Sequence, residues 1–378
     1  MTINYLDKFL KNIMSPKVFS YTLIWLIILV FFGTIAQKNI GLYASQMKYF
    51  SSFYFLFLGF IPLPGGRLVL LLMTVNLFSS MFKRNLWQLK KIGIIIVHLG
   101  GLLLLVGGGL TAYFSSEGNM VIAEGETSNY VDDYHNMELA FVNNSLKDSI
   151  EYTVINESLL HEGSRFRIFD KGPEIYIISN IKNVRIENRI SPADLVYKGL
   201  LEKFVLLPKS PEPENTQNRP ALIYKIEGTS NGSDGIYGLF LGQGLNDPFK
   251  IKDQIFHSEY RRERTYLPFD ITLIDFEKIM HPGTNVAKSF SSDVNLIEND
   301  IPRRTLIKMN EPLRHKGYTF FQASFIDDSE IETTVLATVK NYGRLFPYIS
   351  SIIMSVGLLI HLLLMIPKMV TKKSKGTL

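Results

Sequence analysis

The sequence contains no cysteine, and that one absence removes several kinds of chemistry. A chain without thiols forms no disulfide framework, holds no Cys-ligated zinc or iron–sulfur cluster, and carries no thiol nucleophile. Tryptophan is nearly missing too, with Trp25 and Trp87 the only two in 378 residues, and there are just seven histidines. The phosphate-binding glycine loop, the dinucleotide fingerprint, the H-E-x-x-H helix and the G-x-S-x-G elbow are all lacking, and no internal repeat replaces them. The formal charge of +5 is modest. Its Lys and Arg gather beside apolar runs, a pattern of membrane topology and not of nucleic-acid binding.

What is present is apolar length. Hydrophobic residues make up 46% of the chain, concentrated near its two ends around a polar middle. Four runs read as transmembrane helices: residues 18–36, 67–82, 92–114 and 346–366. The first lacks a small-residue cleavage site and reads as a retained anchor. The second is short and follows "SSFYFLFLGFIPLPGG", an aromatic stretch broken by Pro62, Pro64, Gly65 and Gly66, which reads as interfacial or re-entrant.

Cations flank these runs on alternating sides. Lys8, Lys11 and Lys17 precede the first, Lys83, Arg84, Lys90 and Lys91 join the second to the third, and Lys368, Lys372, Lys373 and Lys375 follow the fourth. With four alternating spans, all three groups share one side, which the positive-inside rule makes cytoplasmic. Both termini are then inside and residues 115–345 outside. The expected fold is an integral α-helical membrane protein of four transmembrane helices, with a large β-rich extracytoplasmic region inserted between helices three and four. Three domains follow: a membrane unit over 1–114, the outer region over 115–345, and the last helix with its basic tail over 346–378.

Segments 174–186, 269–279, 304–313, 318–325 and 331–340 are rich in β-branched and aromatic residues, and several alternate as half-buried strands do. The proline-rich stretch 207–220 reads as a loop or as a split between two lobes. "YRRERTY", 260–266, reads as a solvated strand or loop face. The external histidines, His135, His161, His257, His281 and His315, show no metal-ligand spacing and read as turn or surface residues.

His98 and His361 are different, because each interrupts an uncharged apolar run, where a polar ring is costly and usually faces a bundle interior, cavity or ligand. His98 lies seven residues beyond Lys91 and His361 seven before Lys368. At about 1.5 Å per residue, both sit roughly 10 Å from one boundary. Two neutral imidazoles at one level are candidate axial ligands for a haem iron. Hydrogen bonding to a neighbouring helix is a second reading. A proton relay is a third, though neither helix carries a carboxylate. Gly93, Gly100 and Gly107, with Gly101 and Gly108, make smooth strips where a macrocycle or another helix approaches closely.

The whole layout resembles the ResB/CcsB family of system II cytochrome c biogenesis proteins. "FFGTIAQ" (31–37) is similar to the family's G-T-x-x-Q, and "VHLGGLLLLVGG" (97–108) to its histidine-bearing third span. The most specific stretch is 267–297 followed by 307–325. There a D-F strand, a P-G turn, an F-x-S strand, M-N-x-P-L and G-Y-x-F-x-Q occur in the family's order.

The resemblance implies haem delivery and attachment. The cofactor is haem b, transported or transiently bound, and His98 maps onto the family's intramembrane ligand. The second membrane ligand then belongs to a partner, and His361 is not carried over by any motif. Implied partners are a CcsA-type membrane protein, apocytochrome c with its C-x-x-C-H motif, and an external thiol-disulfide reductase. The chain is then a subunit of a haem lyase in the bacterial cytoplasmic membrane. Two alternatives remain open from the sequence: a membrane-anchored protein-binding scaffold and a haem-containing electron-carrier subunit.

Overall fold

The computed structural model describes residues 12–82, 87–143, 151–169, 172–190, 194–229, 232–244, 248–251, 254–284, 286–326 and 331–374, with side chains up to residue 366. Lys8, Lys11, Lys83, Arg84 and Lys375 of the topology argument lie outside the described residues. So do the side chains of Lys368, Lys372 and Lys373. The chain divides into two compact units, Met1–Ser115 with Asn341–Leu378, and Ser116–Lys340.

The first unit is helical. Helix α1 (Pro16–Ile40) starts where Ser15 accepts the backbone N–H of Lys17 at 3.3 Å and proline fixes the first turn. It stops at Gly41, whose φ of +80° suits glycine and whose N–H reaches the Gln37 carbonyl. The aromatic stretch that follows is a short helical passage, Leu42–Phe50, and a hairpin of β1 (Tyr54–Phe57) and β2 (Ile61–Pro64). Next come α2 (Gly66–Met81), α3 (Ile92–Phe114) and, after the second unit, α4 (Phe346–Ser374).

Among the described residues, three segments are long and apolar enough to cross a membrane: Pro16–Ile40, Leu89–Phe114 and Phe346–Ile366. Helix α2 has 16 residues, or about 24 Å of rise, short of a hydrocarbon core of roughly 30 Å. Its place is fixed at both ends. Asn76 donates to the Ser15 carbonyl at 3.0 Å, and Trp25 Nε1 donates to the Pro64 carbonyl at 2.9 Å. Helix α2 therefore lies along the first part of α1 only. Beside the rest of α1 runs the passage 42–50, where Phe50 and Tyr49 close on Gly33 of the G-T-x-x-Q stretch.

The second unit is β-rich. Its largest sheet has ten strands, all antiparallel, in the path β15–β14–β13–β4–β3–β18–β17–β16, with β12 on β13 and β5 on β4. The ranges are β3 (Ser116–Ala123), β4 (Thr127–Asn143), β5 (Glu151–Asn156), β12 (Phe249–Ile251), β13 (Gln254–Met280), β14 (Ala287–Glu298), β15 (Ile301–Lys308), β16 (Leu313–His315), β17 (Tyr318–Ile326) and β18 (Thr333–Lys340). The far edge β15 returns beside β16 and β17, so this end curls around a core that includes Ile271, Leu273, Val294, Phe320 and Leu336.

A smaller sheet, β11–β10–β7–β6, is built from β6 (Arg165–Arg167), β7 (Glu174–Ile181), β10 (Ala221–Glu227) and β11 (Gly235–Phe240). It shares a second core with the other end of β4 and β13, through Phe141, Tyr224, Phe249 and Phe256. The proline-rich stretch 207–220 joins β9 (Phe204–Pro208) to β10. The hairpin of β8 (Val184–Asn188) and β9 packs on β10 through Val184, Leu206 and Ala221. The change of core instead falls along β4 and β13, two long strands that serve both.

Strand β13 shows why. The sequence marks 269–279 as a strand, yet it begins at Gln254. Its pairing with β4 breaks between Tyr266 and Ile271, and Pro268 sits in that gap, where no ladder N–H is required. Beyond the break it continues between β4 and β14.

Candidate functional site

His98 lies on α3, partly buried, with Nδ1 2.8 Å from the carbonyl of Ile94. A carbonyl only accepts, so Nδ1 carries a proton, and Nε2 is the ring nitrogen that can offer a lone pair. An imidazole oriented through Nδ1–H and offering Nε2 is the arrangement in which histidines commonly ligate metal. One turn along, a Cβ on Gly101 would come 3.3 Å from Leu77 of α2, and Leu105 packs on the core shared by α1 and α2. His98 shares that face.

The other face of α3 is a seam with α4. A Cβ on Gly93 would meet the backbone N of His361 at 2.5 Å, and one on Gly100 would meet Met354 Cγ at 2.6 Å. One on Gly107 would run into Phe346. From the opposite side, a Cβ on Gly357 would reach Val97 N at 2.8 Å. The glycine strip is thus filled by a helix, not left for a macrocycle. His361 belongs to this seam, and its Nδ1 is buried without a hydrogen-bond partner.

These contacts do not bring the two imidazoles together. Gly93 is level with His361, so His98 stands five residues further along, about 7.5 Å at the helical rise. It also points about 140–160° around α3 from the glycine seam. Counting from flanking lysines gave equal depths, because that count assumes the two boundary cations lie at one level. The packing register sets the levels instead.

Side chains of the most specific sequence stretch have structural work. Ser292, Gln322 and Thr334 are buried together: Ser292 Oγ lies 2.6 Å from Gln322 Oε1 and 2.8 Å from Thr334 Oγ1, and Gln322 Nε2 donates to Thr334 Oγ1 at 2.8 Å. One hydroxyl holds one proton, so Ser292 donates to Gln322 and Thr334 donates to Ser292, closing a ring in which every group is satisfied. Gly317, at φ +83°, completes with Lys316, at φ +45°, the tight turn before Tyr318. Ser292 is the serine of F-x-S and Gln322 the glutamine of G-Y-x-F-x-Q.

The segment 260–266 is not a solvated face. Arg261 is 4% exposed, with Nε 2.8 Å from Glu138 and Nη1 2.9 Å from Glu259. Arg264 pairs with Asp132 at 3.1 Å and lies over the ring of Tyr130. Burial raises the Asp132 carboxyl, with Arg264 opposing. Sequence reasoning missed this cluster because its partners on β4 lie more than 120 residues away. The alternation of arginine with glutamate and tyrosine along 260–266 was the available signal.

The histidines of the β-rich unit are dispersed. His315 Nε2 is 2.9 Å from Glu298, His135 Nδ1 is 3.1 Å from Asn215, and His281 opens the Pro282–Gly283 turn. Among the described residues no three His, Asp or Glu side chains converge as a metal site.

Helices of membrane-spanning length, one of them bearing His98, joined to a large β-rich unit define a membrane-anchored protein with a substantial domain outside the helices. Residues 242–346 match the model of the ResB-like family, and the motifs within 267–325 fall inside that match. The chain is also 24% identical over 313 residues to protein NrfI of Wolinella succinogenes. That alignment covers 77% of this chain and 29% of NrfI, so the chain spans a little under a third of that relative's length.

Proposed function

We propose that this chain works in cytochrome c biogenesis, as the subunit of a system II complex that binds haem in the membrane and helps attach it to apocytochrome c. The observation that carries this reading is the His98 ring, held by Ile94 through Nδ1 with Nε2 left as the donor atom for iron. Haem is the cargo. Its iron takes axial ligands, among which a neutral histidine nitrogen is common, and its vinyl groups are the sites at which cysteines of the apoprotein form thioethers.

His98 is the residue of this chain that would hold the iron, on the face of α3 where Gly101 packs against Leu77 of α2. The second ligand comes from a CcsA-type partner. His361 stands as a separate candidate within the α3–α4 seam. The chain crosses the bacterial cytoplasmic membrane four times, with α2 and the segment before it together forming the second crossing. The residues before α1 and after α4 face the cytoplasm, and the β-rich unit faces outside. There it presents apocytochrome c, whose C-x-x-C-H thiols an external thiol-disulfide reductase keeps reduced. The chain is not a catalyst alone.

Loss of every c-type cytochrome at once on deletion of the gene, restored by wild type and not by His98→Ala, supports this assignment. Loss of a single respiratory activity with other c-type cytochromes intact would place the chain as an electron-carrier subunit instead.

A further inference from the structure

The hairpin β1–β2 stands out in a helical unit. No Asp, Glu, Lys or Arg occurs between Lys48 and Arg67, yet Tyr54, Leu58 and Phe60 are 67–70% exposed, and Leu56 and Phe57 are exposed as well. Such a patch normally marks an interaction surface. Its depth can be read from α1. The hairpin's last residue, Pro64, accepts from Trp25, and Phe55 is buried against the core that contains Leu29. Both Trp25 and Leu29 lie well inside α1. Beyond them towards Ile40, Val30, Phe31, Phe32 and Ile35 are all more than half exposed, an apolar surface suited to lipid. The hairpin base is therefore level with the hydrocarbon.

Backbone in hydrocarbon must have its polar groups satisfied, and a free strand edge there is costly. On strand β2 prolines lower that cost. Residues 61 and 63 face β1, and the outward positions are Pro62 and Pro64, which have no N–H to leave unpaired. The Pro64 carbonyl is taken by Trp25. At the tip, Leu58 and Gly59 turn the chain at φ +53° and +83° without a charged residue.

We propose that this hairpin is a lipid-inserted element, its tip Phe57–Phe60 among the acyl chains of the leaflet reached by the C-terminal part of α1. It occupies, with the passage 42–50, the depth that the short α2 leaves unspanned.

The absence of cysteine makes the test direct. Leu58→Cys and Phe60→Cys, each labelled with the polarity-sensitive fluorophore NBD, are placed in phosphatidylcholine–phosphatidylglycerol nanodiscs, with Phe31→Cys as lipid reference and Asp300→Cys as water reference. The expected result is quenching by nitroxide-bearing lipids as strong as at Phe31, with shielding from iodide. Iodide quenching equal to that at Asp300 would overturn the proposal. So would shielding from both quenchers, which would mean that protein and not lipid covers the tip.

Discussion

Gly93 and His361 touch backbone to backbone: any side chain on the glycine would strike the nitrogen and Cα of the histidine. The α3–α4 pair is built on this approach, and the same strip meets Met354 at Gly100 and the Phe346 side chain at Gly107. Small residues allow such contact in lipid, where packing and not hydrophobicity drives association. Gly93→Leu is expected to separate the helices and lower the midpoint of thermal unfolding in detergent. Gly108→Ala should be neutral or slightly stabilising, because no atom lies within 4 Å and alanine is favoured over glycine in a helix by roughly 1 kcal/mol.

The Ser292–Gln322–Thr334 ring makes a second case. Gln322→Leu leaves two buried hydroxyls short of a partner, a penalty of about 1–3 kcal/mol. The expected reading is a fall of a few degrees in melting temperature. Gln322→Glu should be at least as damaging, since it places a carboxylate among buried hydroxyls. An unchanged melt in both variants would remove the ring from the fold's support.

Arg261 carries a larger load. Removing it strands Glu138 and Glu259, and breaking a buried pair from one side costs about 3–5 kcal/mol. Arg261→Ala should therefore unfold the β-rich unit at markedly lower denaturant. Arg261→Met combined with Glu138→Leu should recover part of the loss, because it removes the stranded charge. Equal damage from single and double variants would contradict this reading.

Acid should act through Glu298. Its carboxyl is held below the ordinary 4.5 by hydrogen bonding to Lys316 and then to His315. A depressed carboxylate contributes stability that is complete above its unfolded value and lost as pH falls through its folded one. Melting curves between pH 7 and pH 3 should show a shallower acid limb in Glu298→Gln than in wild type, the variant melting lower at neutral pH and the two curves converging in acid.

Much of the fold was legible in the sequence. The runs 18–36, 92–114 and 346–366 reappear as long apolar helices, because charge-free length leaves few other structures. Strands 318–325 and 331–340 reappear as β17 and β18. The first half of β13 was not legible, since a strand whose buried charges are paired across the sheet does not alternate in hydrophobicity. Nor was the separation of His98 from His361, which depends on how α3 and α4 slide against one another. The Ile94 bond was equally hidden, although a histidine within a helix always has a carbonyl four residues back. The hairpin's aromatics were visible, but its register, which turns Pro62 and Pro64 outward, was not.

The central claim is that His98 offers Nε2 to haem iron, and the visible spectrum of the reduced protein tests it most directly. The chain is purified with a CcsA-type partner as wild type, His98→Ala and His361→Ala. The account predicts a sharp low-spin b-type band in wild type, lost in His98→Ala and regained when imidazole is added to that variant. A band that persists unchanged in His98→Ala, or wild type that carries no haem with its partner, would contradict the account.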